Sequence, residues 1–124
     1  MSVASSILPA AVATAAECPD AEVIFARGRE EPPGIGRIGD AFVDALRSKT
    51  PPKSVGVYAV NYIADWDIVP GANNMARHME YMAANCPNTR QVPGGYSLGA
   101  AVVDVALTPP TDPRLGANPV PGSV

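Results

Sequence analysis

Histidine is nearly missing from this chain. The 124 residues contain one, His78, and only two cysteines, Cys18 and Cys86. One imidazole and two distant thiols fall short of the ligand set of a zinc site, so no metal is expected. Basic residues are also few, nine Lys and Arg against twelve Asp and Glu, for a net charge of −3. That balance lacks the cationic footprint of a nucleic-acid binder. No apolar run is long enough to cross a bilayer as a helix. Proline and glycine, in contrast, are abundant at 14 and 11 residues, so loops are many. With 47% hydrophobic and 17% charged residues, the composition supports an ordinary globular core. The length allows one small domain.

The stretch from Ser2 to Ala16 is small and apolar and ends in Ala13-Thr14-Ala15. No Lys or Arg precedes it, but the small-residue ending is the kind that signal peptidase cuts. Residues 1–16 are therefore expected to be a signal peptide and the chain to be secreted. In an oxidising compartment two cysteines most simply make one disulfide, whereas in a cytosolic chain the same pair would be two buried thiols.

The middle of the chain, residues 17–107, alternates between strand and helix patterns. Val23-Ile24-Phe25-Ala26 reads as a buried strand. A Gly/Pro loop follows, and then Ile38, Phe42, Ala45 and Leu46 fall on one face of a helix. Val55 to Val60 reads as a second strand. Asn61 to Gly71, with Trp66, reads as a loop. Met75, Met79, Met82 and Cys86 share a helical face, with Asn73 as a plausible N-cap. Arg90 to Val92 starts a third strand, and Ser97 to Leu107 reads as a third helix with Ala101, Val102 and Val105 inward. Three strand–helix units predict a parallel sheet with right-handed crossovers. Residues 108–124 hold five prolines and read as a loop or tail.

Gly95-Tyr96-Ser97-Leu98-Gly99 is a G-x-S-x-G placed between a strand and a helix. That context marks a nucleophile elbow, with the serine hydroxyl exposed on a strained turn. The flanking glycines remove side chains that would collide, and the helix N-terminus aims N–H groups at a developing oxyanion. Leu98 N–H is one expected donor. The other is expected from Gly28-Arg29-Glu30, after the first strand. A base is harder to find. In this fold the acid and the histidine follow the serine along the chain, and no histidine follows Ser97. His78 reads as a surface or boundary histidine on its helix, Asp104 lies two turns beyond Ser97, and Asp112 falls in the tail. Gly34-Ile35-Gly36-Arg37-Ile38-Gly39 spells a dinucleotide fingerprint, but Pro32-Pro33 and further loop residues separate it from the strand. Its glycines are expected to shape a loop, and no cofactor is expected. Arg27, Glu30 and Glu31 read as surface charges able to form a weak local ion pair.

These segments resemble the cutinase family of secreted serine esterases, especially its actinobacterial branch. The resemblance rests on Cys18-Pro19-Asp20, Val23 to Gly28, Pro33 to Gly39, Val60-Asn61-Tyr62, Asn85 to Thr89 and Gly94 to Ala100. It implies an α/β fold, a three-layer parallel sheet of the α/β-hydrolase (cutinase-like) type, here truncated after the nucleophile helix. It implies a Cys18–Cys86 disulfide, Ser97 as nucleophile, and Leu98 and Arg29 at the oxyanion-hole positions. Carboxylic esters or lipids are the implied substrates. Four residues depart from the family pattern. Arg29 replaces a Thr or Ser, Leu98 replaces a Gln, Ile63 replaces a Pro, and Pro93 stands in the nucleophile strand, where it removes a ladder donor. The family's later Asp and His have no counterpart, so weak or no activity is expected, or complementation by a separate C-terminal half. A secreted non-catalytic binding or antigenic fragment is the alternative.

Overall fold

The computed structural model describes residues 18–51 and 53–109. The expected signal peptide and nearly all of the tail, Asp112 included, lie outside the described residues. Three strands, β1 (Ala21–Ala26), β2 (Val55–Ala59) and β3 (Arg90–Gly95), alternate with three helices, α1 (Gly36–Lys49), α2 (Val69–Asn85) and α3 (Leu98–Ala106). The sheet is parallel throughout, in the order β2-β1-β3. β1 is thus central, and its apolar run is buried almost throughout.

Alternation along β1 builds three layers. Val23 and Phe25 point to one face and pack with Ile35, Val43 and Val55 under α1. Ile24 and Ala26 point to the other and pack with Met75, Met79 and Val102 of α2 and α3. Ile24, Met75, Val23, Val60 and Val102 are the largest fully buried side chains, each contributing roughly 1.5–3 kcal/mol of hydrophobic free energy.

Three local expectations are corrected. α1 buries Gly39 and Val43 and half-buries Leu46, whereas Ile38 and Phe42 are each 42% exposed. The inward stripe is therefore displaced by one residue, because Gly39, without a side chain, lets the helix approach Phe25 closely. α2 begins four residues before Asn73, with Pro70 in its first turn, so Asn73 is not its N-cap. Pro93 does not interrupt the β1–β3 ladder. Arg90 N–H and Tyr96 N–H donate to Asp20 O and Ala26 O, so by alternation Gln91, Pro93 and Gly95 direct their main-chain groups to the open side of β3. Among the described residues no strand pairs with that side, so the missing donor interrupts no ladder.

The N-terminal end of the sheet is stapled. Cys18 and Cys86 form a disulfide with Cα atoms 5.6 Å apart, joining the lead-in to β1 to the C-cap of α2. Ser54 N–H donates to Asp20 Oδ2 (2.7 Å), Asp20 N–H donates to Ser54 Oγ (2.9 Å), and Thr89 Oγ1 donates to Pro19 O (2.6 Å).

Candidate active site

The G-x-S-x-G serine lies at the opposite, C-terminal end of the strands. Ser97 is exposed and sits between β3 and α3 with φ 57° and ψ −115°. A non-glycine residue there costs on the order of 1–3 kcal/mol. The surroundings hold it. Tyr96 N–H donates to Ala26 O, Gly99 N–H to Tyr96 O and Ala100 N–H to Ser97 O. A Cβ on Gly95 would overlap the Gly99 carbonyl, and one on Gly99 would overlap the Ala26 carbonyl. Both glycines are therefore required sterically, so that α3 can start directly against the end of β1.

The loop after β1 borders this turn. Gly28 lies against the Tyr96 ring, where a Cβ would come within 2.9 Å of Cδ2. Gly28 N–H donates to Glu31 Oε1 (2.7 Å), Glu30 N–H to Ala64 O (2.8 Å) and Glu31 N–H to Gly28 O (3.2 Å). Among the described residues the Arg29 N–H has no acceptor, and neither has the Leu98 N–H at the start of α3. Those are the amides at the two positions that the family resemblance implies for an oxyanion hole. The Arg29 side chain turns away to Glu30 (2.8 Å) and Asp65 (3.7 Å), with its guanidinium 4.4 Å from the centre of the Trp66 ring.

Arg27 is not the surface charge expected from the sequence. It is 5% exposed, and it binds main-chain carbonyls rather than a carboxylate: Nε–H donates to Glu31 O (2.6 Å) and Nη2–H to Ile63 O (3.3 Å). Tyr62 Oη donates to Arg27 O (2.6 Å). Burial pushes the Tyr62 hydroxyl above its ordinary value, with Arg27 pulling the other way, so it stays a protonated donor. Gly36, at φ 76°, lies against the Glu31 carboxylate. That carboxylate therefore occupies the start of α1, where a bound phosphate would have to sit, so the literal G-x-G-x-x-G serves to shape this loop.

His78 is held elsewhere. Its Nε2 lies 2.7 Å from Glu22 Oε1, and its ring stacks on Tyr58 at 3.6 Å between centroids. Glu22 is buried near the start of β1, roughly 13 Å along the strand from the Ser97 end. Among the described residues the exposed serine therefore has no imidazole near it, because His78 is held at the other end of β1. No local signal announces the Glu22–His78 pair or the burial of Arg27. A groove of about 470 Å³ lined by Tyr62, Ile63, Asp65, Trp66, Asp67 and Pro70 flanks the Arg29 side chain. Ile63 and Trp66 are strongly exposed in it. A second groove, lined among others by Asp20, Leu46, Val55, Arg90 and Val92, lies at the stapled end, away from the serine.

The sequence profile described as Cutinase matches residues 17–117. A probable carboxylesterase, Culp2, of Mycobacterium tuberculosis is 65% identical over 114 residues, covering 91% of this chain and 49% of the relative. The phospholipase Culp4 of the same organism is 53% identical over 110 residues, covering 86% of this chain and 48% of its own length. Among solved structures, a cutinase-like protein from Cryptococcus sp. superposes with a TM-score of 0.66 at 28% identity, over 86% of this chain and 49% of that one. The catalytic core of acetyl xylan esterase from Trichoderma reesei gives 0.71 at 26%, over 86% and 57%. The chain spans about half the length of the curated relatives it matches.

Proposed function

Because this chain belongs to the cutinase family, we propose that its C-terminal sheet end is the nucleophile and oxyanion half of a carboxylic ester hydrolase. The observation that carries the reading is Ser97, exposed at a left-handed turn, followed by the unpaired Leu98 amide and bordered by the loop that carries the unpaired Arg29 amide. Ser97 Oγ attacks the ester carbonyl carbon and passes its proton to a base. The carbonyl oxygen becomes an oxyanion that accepts from the Leu98 and Arg29 N–H groups. The alcohol then leaves with a proton, and water releases the acid from the acyl-serine. The relatives' names, carboxylesterase, phospholipase and acetyl xylan esterase, share acyl-ester cleavage as their chemistry. That supports an acyl ester or lipid substrate here.

The base is the open element. His78 is committed to Glu22 at the far end of β1, so a competent base has to come from outside the described residues. Without one, most of the rate enhancement of a complete triad is lost, and what Ser97 can still do is slow attack by an unassisted hydroxyl. The same observation favours a second reading, a non-catalytic exported domain. The Cys18–Cys86 disulfide supports export in either case. Hydrolysis of p-nitrophenyl butyrate, paired with mass-spectrometric detection of a phosphonate adduct on Ser97, separates the two. We expect weak hydrolysis that falls in Ser97→Ala, and an adduct confined to Ser97. Hydrolysis that is absent, or unchanged by Ser97→Ala, refutes catalysis at this site.

A further inference from the structure

We propose that Arg27 is the positioning residue of the oxyanion loop, fixing the Arg29 amide by clamping two loops through their carbonyls. The proposal rests on the reading of Ser97 and Arg29 given above. A buried guanidinium is costly to desolvate, and among the described residues Arg27 has no carboxylate within ion-pair distance to offset that cost. Its rigid fork instead spans two segments, reaching Glu31 O in the loop after β1 and Ile63 O in the loop after β2. A lysine, with its point charge on a flexible stem, cannot reproduce that span in fixed geometry.

The neighbouring backbone shows what the clamp holds. Glu30 and Ala64 both adopt left-handed conformations, at φ 65° and 62°, and are joined by the Glu30 N–H to Ala64 O bond. Two such non-glycine residues persist only where their surroundings impose them, and Arg27 binds the residue next to each, Glu31 and Ile63. The Arg27 carbonyl is in turn fixed by Tyr62 Oη, and its guanidinium lies 5.4 Å from the centre of the Tyr62 ring. Arg29 sits in the middle of this frame, its amide flanked by the tethered amides of Gly28 and Glu30. Releasing the Glu31 and Ile63 carbonyls lets the two loops part and carries the Arg29 amide off its aim. A misplacement near 1 Å at an oxyanion donor costs on the order of 10²-fold in rate.

The test compares the full 124-residue chain with its Arg27→Met and Arg27→Lys variants. Methionine fills the buried volume without donors, and lysine keeps the charge without the fork. Amide exchange at Glu30 reports the bond to Ala64, and phosphonylation of Ser97 reports the oxyanion hole. We expect Arg27→Met to melt cooperatively, with Glu30 exchange raised at least about tenfold and phosphonylation slowed about 10²-fold. Arg27→Lys should recover only part of each, and it carries the comparison alone if the methionine variant does not fold. Full recovery by lysine, or unchanged Glu30 exchange in the variants, overturns the clamp. An unreactive Ser97 in the parent chain, together with accelerated Glu30 exchange in the variants, supports the clamp and sinks the catalytic reading instead.

Discussion

Replacing Cys18 and Cys86 together by alanine should destabilise the fold severely while leaving the Ser97 turn as it is. The bridge joins residues 68 positions apart. Closing a loop of that size removes about 4 kcal/mol of unfolded-state entropy at 25 °C. Domains of this size have total stabilities of only about 5–15 kcal/mol, so the loss is a large fraction of the whole. Unfolding entropy near 2.1 cal/mol/K per residue, taken over roughly 90 described residues, converts it to a fall of about 20 °C in melting midpoint. Far-UV circular dichroism melts of the oxidised chain, the chemically reduced chain and the double-alanine variant provide the assay. The last two should coincide, both well below the first. The staple sits at the N-terminal end of β1, and the serine turn at the other end. The phosphonylation rate of Ser97 at a temperature where all forms are folded should therefore be unchanged. A fall of less than about 5 °C, or reduced and double-alanine chains that melt apart, would refute the loop-closure argument.

Two further outcomes follow from contacts at the two ends of the sheet. Gly99→Ala drives a methyl into the Ala26 and Arg27 carbonyls. Because these are backbone atoms, α3 has to lift off β1, and we expect at least about 1–3 kcal/mol of destabilisation in urea titrations together with loss of Ser97 labelling; parent-like behaviour in both counts against the close approach. The Ser54 amide, then its hydroxyl, hold the Asp20 carboxyl below its ordinary value of 3.8. The stability this contributes is present above that value and is lost as pH falls through the lower folded-state value, so Asp20→Asn should flatten the acid limb of stability below that ordinary value, and an unaltered limb excludes the link.

The architecture was largely legible, and the failures have physical causes. β1 could be read because a central parallel strand buried on both faces is a continuous apolar run. α1 was harder. Periodicity weighs side-chain size, so Ile38 and Phe42 outvoted Gly39, although the glycine is the residue that meets Phe25. The start of α2 was missed because Asn73 is a good cap by type, whereas Pro70 opens the helix earlier. At the candidate site, Gly95 to Gly99 could be read because a strand-to-helix elbow is local in sequence. The family resemblance supplied Arg29 and the disulfide partner. Arg27 and Glu22 could not be read, because their partners lie 36 and 56 positions away, at Ile63 and His78. Nothing in their own neighbourhoods marks a charged side chain as buried.

The outward-facing nitrogen of Pro93 has a bearing on how molecules of this protein meet one another. Any strand approaching the side of β3 that is unpaired among the described residues finds amide hydrogens at Gln91 and Gly95, with a bare nitrogen midway. Two such strands meeting head to tail about their centres would set proline against proline, so the rung on which stacking would otherwise nucleate is the one that cannot form. Where that side of β3 is left open, a single imino acid thus makes it a poor template for its own copies.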